Sequence, residues 1–124
     1  MNREHLKEGF LHIFKAAGYS LAGLRTGIRL SLAFRQECGV LVVLVVLLAL
    51  CGKPLTTWLA AVGAWLLVMM AELINTAIEE ALNLITRDYN IAVKNAKDMA
   101  SAAVFLMLAL NAALWFCIFI LGLF

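Results

Sequence analysis

Proline is nearly absent from this chain: Pro54 is the only one in 124 residues. Nothing else of that kind interrupts helix formation on either side of a single turn. Charge is scarce as well, with Asp, Glu, Lys and Arg making up 15% of the chain against a hydrophobic share of 65%. Such a composition lies far from the average for soluble domains and points to an integral membrane protein. The net charge of +2 is small and the basic residues are dispersed, so nucleic acid is not an expected partner. Cys38, Cys51 and Cys117 have neither metal-ligand spacing nor a pairing pattern, and they read as small buried hydrophobes. There is no low-complexity tract, internal repeat or linker, and Arg3, Glu4, Lys7 and Glu8 at the start do not resemble a cleaved signal peptide. G-x-x-x-x-G-K-[ST], G-x-G-x-x-G and the protein-kinase catalytic loop are all missing, which excludes the familiar soluble nucleotide-binding machinery.

What remains is helical pattern. Residues 1–124 are expected to form a single all-α, membrane-embedded domain. From Asn2 to about Leu30, Phe10, Ile13, Phe14, Ala17, Leu21, Leu24 and Ile28 recur with helical spacing opposite Lys7, Lys15, Arg25 and Arg29. That pattern predicts an amphipathic helix on the membrane surface, with a break near Gly18. The first span is expected over about 34–52; its uncharged core, Cys38 to Gly52, has only 15 residues. A crossing takes about 20, so Arg35, Gln36 and Glu37 sit at depth or reach to the surface, where they could contact headgroups. Gly52, Lys53 and Pro54 make a tight turn into a second span over about 55–85. A polar link from Thr86 to Lys97 precedes the third span, about 98–123. Asn111 in that span reads as interhelical glue.

One stretch organises the rest, A-E-L-I-N-T-A-I-E-E from Ala71 to Glu80. Glu72, Asn75, Thr76 and Glu79 fall at i, i+3, i+4 and i+7, so a helix carries them on one face. The 17 residues before them, Leu55 to Ala71, hold no charge. At about 1.5 Å per residue Glu72 lies roughly 26 Å along the span, just inside a hydrocarbon core about 30 Å thick. A carboxylate at the centre of such a helix costs about 2.5–3.5 kcal/mol on insertion scales, which marks it as functional. Glu79, two turns on, reaches the headgroups and water.

Basic residues orient the chain. Arg3, Lys7, Lys15, Arg25, Arg29 and Arg35, with Arg87, Lys94 and Lys97 of the link, stand against Lys53 alone in the opposite turn. The surface helix, the acidic stripe and the link are therefore expected on the cytoplasmic side. Partial desolvation makes a carboxylate a better base near neutral pH, so Glu72 could take the proton from an alcohol. Glu79 suits Mg²⁺, and Lys97, opening the third span with Asp98, could neutralise phosphates; these are the parts of phosphoryl transfer. Two acids and an amide could equally bind a transported cation or serve assembly. Either role in so thin a bundle calls for an oligomer.

K-A-A-G-Y-S at Lys15 to Ser20, A-F-R-Q-E at Ala33 to Glu37, E-L-I-N-T-A-I-E at Glu72 to Glu79 and A-K-D-M-A-S-A-A-V at Ala96 to Val104 together resemble the small prokaryotic diacylglycerol kinases. That family also includes the undecaprenol kinases, and the first two segments resemble the Gram-negative diacylglycerol kinases more. The resemblance implies a homotrimer in the bacterial inner membrane, with three spans and a surface helix per subunit and active sites between subunits. It implies transfer of the γ-phosphate of MgATP to the primary hydroxyl of diacylglycerol, giving phosphatidic acid. By motif, Glu72 matches the general base and Glu79 the metal ligand, while Asn75, Lys97 and Asp98 match polar active-site positions. Tyr19, Asp88, Tyr89 and Asn90 match nucleotide-contacting positions, joined by Lys97 and Asp98. His12, Ala33, Phe34, Arg35, Gln36, Glu37, Ser101 and Trp115 match lipid-contacting ones.

Three departures stand out. Ser31 occupies the place of a second metal-binding glutamate, so it becomes a weak, neutral ligand, and one Mg²⁺, a substitute acid such as Glu80 or Glu37, or a weakly active or silent relative would each answer to it. His12 replaces a frequent arginine, and Trp58 a basic residue near the outer leaflet.

Overall fold

The computed structural model describes residues 3–123. Asn2, where the surface helix is expected to begin, and Phe124 lie outside them, as do the side chains of Arg3, Lys7 and Phe10. Among the described residues the chain is helical, with no strand: α1 (Arg3–Leu30), α2 (Leu32–Leu50), α3 (Leu55–Ile85) and α4 (Ile91–Trp115), which widens into a π-helical turn at Phe116–Ile120.

Helix α1 is unbroken at Gly18, because a glycine lowers helix propensity by only about 1 kcal/mol and the residues on both sides favour the helix. Among its described residues, it is buried near its C-terminus, at Gly27. Further back, Leu11, Ile13, Phe14 and Leu21 remain exposed, an uncovered apolar stripe of the sort that lies in a membrane interface. Ser31 then takes an extended conformation (φ −102°, ψ 120°), and its hydroxyl accepts from Phe34 N–H to cap α2.

The hairpin between α2 and α3 closes as the turn residues require. Gly52 adopts φ +58°, a left-handed conformation that costs glycine little. Pro54 caps α3 in an extended conformation, and Lys53 Nζ donates to Ile118 O at 3.0 Å, tying the turn to the end of the last helix. Helix α3 is the centre of the bundle, packed most extensively on α4 and next on α2. Phe34, Leu44, Leu48, Ala61, Trp65, Val68, Met69 and Ile118 form the core.

With 31 residues, α3 is about 46 Å long, well beyond a hydrocarbon core of about 30 Å. Three helical stretches, Leu32–Leu50, Leu55–Ile85 and Ile91–Ile120, are long and apolar enough to cross a membrane. Phe105, Leu106 and Leu110 on α4 are exposed, as suits a surface bathed in lipid tails.

Two further expectations need correcting. Helix α4 starts at Ile91 instead of near Asp98, because Asn90 Oδ1 accepts from Ala92 N–H and Val93 N–H and so caps it within the polar link. Hydropathy marks where a helix enters lipid, and this one is wound before it gets there. Cys51 is exposed at the turn, while Cys38 and Cys117 are half-buried, and all three are free thiols. Asn111 does bridge helices: its Nδ2 donates to Ala64 O on α3 and to Met107 O, both at 3.0 Å.

Candidate active site

The helical period of α3 turns Glu72 and Asn75 inward, each only 7% exposed, with Thr76 and Glu79 half-buried beside them. A carboxylate withdrawn from water needs donors, and Glu72 has two hydroxyls on one oxygen. Ser31 Oγ donates to Glu72 Oε1 at 2.7 Å from the junction of α1 and α2, and Thr76 Oγ1 donates to the same atom at 3.3 Å from one turn along. Ser31, expected as a doubtful metal ligand, thus touches the carboxylate itself.

One turn further, Asn75 Nδ2 donates to Glu79 Oε1 at 3.4 Å. Asn75 Oδ1 is buried without a hydrogen-bond partner, an arrangement that asks for an explanation. The amide N–H of Asn75 steadies the half-buried Glu79 carboxylate, a hard oxygen donor, and Mg²⁺ takes one or two protein oxygens while keeping water and phosphate in its other positions. These residues fit that ion. Among the described residues no group of three or more His, Cys, Asp and Glu side chains gathers as a closed all-protein cage.

Two clefts flank the stripe. An apolar one of about 750 Å³ runs between α1 and α3, lined by Gly23, Leu24, Gly27, Leu30, Leu73 and Thr76 among others, and Glu80 closes one side. The second, about 370 Å³, is polar and lies at the far end of α3, between Asn83, Arg87, Asp88 and Lys97. Glu80 lines both, so the two clefts adjoin there.

The remaining candidates divide between these regions. Lys97 Nζ donates to Asn83 Oδ1 at 2.7 Å, and Asp98 pairs with Lys94. Asp88, Tyr89, Asn90, Lys94, Lys97 and Asp98 border a further small hollow; Lys97 and Asp98 thus gather with the link residues rather than against Glu72. Tyr19 and His12 are exposed on α1, and Ser101 is exposed on α4. Within A-F-R-Q-E, Phe34 is core, Ala33 half-buried and Gln36 exposed. Arg35 Nη1 donates to Ile28 O and Arg29 O, the carbonyls ending α1, where a cation is favoured by the helix dipole. Glu37 is buried; its backbone oxygen accepts from Trp65 Nε1 at 3.0 Å, and its Oε2 has no hydrogen-bond partner. Trp115 stacks on Trp65 with ring centroids 5.1 Å apart, away from the acidic stripe. Asn83 was not singled out from the sequence, although it continues the stripe one turn beyond Glu79.

Fold and site together define a helical membrane protein with a hydroxyl-anchored carboxylate whose donor Thr76 borders an apolar cleft, and that cleft meets a polar one at Glu80. A family model of the prokaryotic diacylglycerol kinases matches residues 18–119. The chain is 40% identical over 109 residues to the diacylglycerol kinase of Escherichia coli K12, an overlap covering 86% of this chain and 88% of that one. It is 36% identical over 107 residues to the enzyme of the same name from Pseudomonas aeruginosa (86% and 87% covered) and 32% over 107 residues to that of Haemophilus influenzae (86% and 91%). The chain belongs to the prokaryotic diacylglycerol kinase family.

Proposed function

We propose that this protein is an ATP-dependent lipid kinase that phosphorylates the primary hydroxyl of diacylglycerol to give phosphatidic acid and ADP. The observation that carries the reading is Glu72, a carboxylate with one oxygen held by Ser31 and Thr76; Thr76 borders an apolar cleft that suits acyl chains, and a polar cleft that suits a nucleotide adjoins that one at Glu80. With Oε1 occupied by donors, Oε2 takes the proton of the lipid hydroxyl as its oxygen bonds to the γ-phosphorus, and the bond to the β-γ bridging oxygen breaks. Glu79, steadied by the amide N–H of Asn75, would hold Mg²⁺, which when bound neutralises phosphate charge. Lys97, held by Asn83, presents its ammonium to the phosphates from the link side, with Asp98, Asp88, Tyr89, Asn90 and Tyr19 around the nucleotide.

We further read the working unit as a homotrimer in the bacterial inner membrane, with surface helix and sites toward the cytoplasm, where the basic residues outnumber those of the opposite turn. Offering diacylglycerol and undecaprenol in parallel mixed micelles with MgATP tests the acceptor. Labelled phosphatidic acid is the expected product; phosphorylation of undecaprenol alone would reassign the substrate, and no product from a folded oligomer would reject the kinase reading.

A further inference from the structure

We propose that Ser31 is a positioning residue for Glu72, fixing the carboxylate from the junction of α1 and α2; this rests on reading Glu72 as the base. Both residues are buried at 7% exposure, and the hydroxyl-to-carboxylate distance is 2.7 Å across 41 residues of chain. The hydroxyl accepts from Phe34 N–H at 3.0 Å and gives its single proton to Glu72 Oε1. The backbone holds it there, since Ser31 N–H donates to Gly27 O at 2.9 Å. Thr76, the other donor, rides on the same helix as Glu72 and cannot set that helix against α2. Of the two described hydrogen-bond donors to Glu72, Ser31 is the one that comes from outside α3.

The chemistry follows from the residue type. An acidic side chain at this junction would bring a second negative charge against Glu72, and such a pair needs a cation between them or a proton on one of them. A hydroxyl brings its own proton. The carboxylate is thereby steadied without further charge, and Oε2 keeps one orientation toward the incoming alcohol, which is how positioning lowers a barrier.

The test is a set of variants measured for both turnover and unfolding in mixed micelles. Ser31→Thr keeps the hydroxyl and should stay within about threefold of the parent kcat. Ser31→Ala should lower kcat by about tenfold or more, the scale of losing a hydrogen bond to a charged group, with KM for MgATP and for diacylglycerol unchanged. Ser31→Gly removes the hydroxyl without adding charge, yet glycine is tolerated at a helix N-cap; the same fall in kcat at near-parental stability separates positioning from capping. Parental kcat in the alanine or glycine variant would overturn the proposal. So would a raised KM for MgATP alone, which would make Ser31 a nucleotide or metal contact, or loss of activity in Ser31→Thr as large as in Ser31→Ala. A double-mutant cycle between Ser31→Ala and Glu72→Ala, read by unfolding, needs no turnover. Coupling of about tenfold in the unfolding constant is expected, and additivity would refute the tie. Retained turnover in Glu72→Gln would instead remove the base assignment, a failure that the cycle tells apart.

Discussion

Gly27→Ala probes how closely α1 must approach α3 to build the site. A methyl group there would run into Leu73 Cδ2 and stand 3.3 Å from Phe34 Cδ1. Adding volume to a packed contact costs about 1–3 kcal/mol. Leu73 is half-buried and borders the apolar cleft, so its end can swing aside, whereas Phe34 is 2% exposed and has nowhere to go. The expected loss is accordingly at the lower end, about 1 kcal/mol. Activity should suffer more than stability, because Gly27 O holds Ser31 N–H and Ser31 in turn holds Glu72. The assay is unfolding in mixed micelles together with kcat for MgATP and diacylglycerol. Leu73→Ala removes the atom that the new methyl meets, so the double variant should recover stability and turnover relative to Gly27→Ala alone. An alanine variant as stable and active as the parent, or a deficit that Leu73→Ala does not relieve, would refute this account of the helix junction.

Other consequences can be checked in the same preparation. Asn111→Ala removes the tie from α4 to Ala64 O and should cost about 0.6 kcal/mol, and no more than about 1.7, the range found for side-chain hydrogen bonds within membranes; unfolding measures it. Glu79→Gln takes away the charge of the proposed Mg²⁺ ligand, so the Mg²⁺ concentration for half-maximal rate should rise at least severalfold while KM for diacylglycerol stays put. Asn83→Asp would pair Lys97 with a charge of its own and compete with phosphate, raising KM for MgATP; an unchanged KM would place the nucleotide elsewhere.

Much of this architecture is legible because helix formation in a membrane is governed by a few strong signals. The uncharged runs locate three crossing helices, and Gly52 to Pro54 fix the hairpin. The i, i+3, i+4, i+7 pattern puts Glu72, Asn75, Thr76 and Glu79 on one face before any tertiary contact is known. Legibility ends where one element meets another. Ser31 reads from sequence as a missing ligand, and only the packing of the α1–α2 junction on α3 turns its proton toward Glu72. Arg35 has the pattern of a headgroup contact but is engaged by the carbonyls of α1. Trp115 is likewise drawn onto Trp65, an aromatic neighbour on another helix that spacing along α4 cannot reveal. The start of α4 was within reach, since Asn90 is a strong helix-capping type, but its signal competes with the polarity of a segment that otherwise reads as a loop.

The most direct measurement is the rate of phosphatidic acid formation from diacylglycerol and MgATP by the parent protein and by Glu72→Gln side by side, each confirmed as folded. The glutamine keeps the size of the side chain and can still accept from Ser31 and Thr76, but it cannot take a proton from the lipid. Turnover by the parent with a loss of about 100-fold or more in the variant, at the scale of general base catalysis, is the expected result. Comparable rates in both would contradict the assignment of Glu72 as the base around which the site is built.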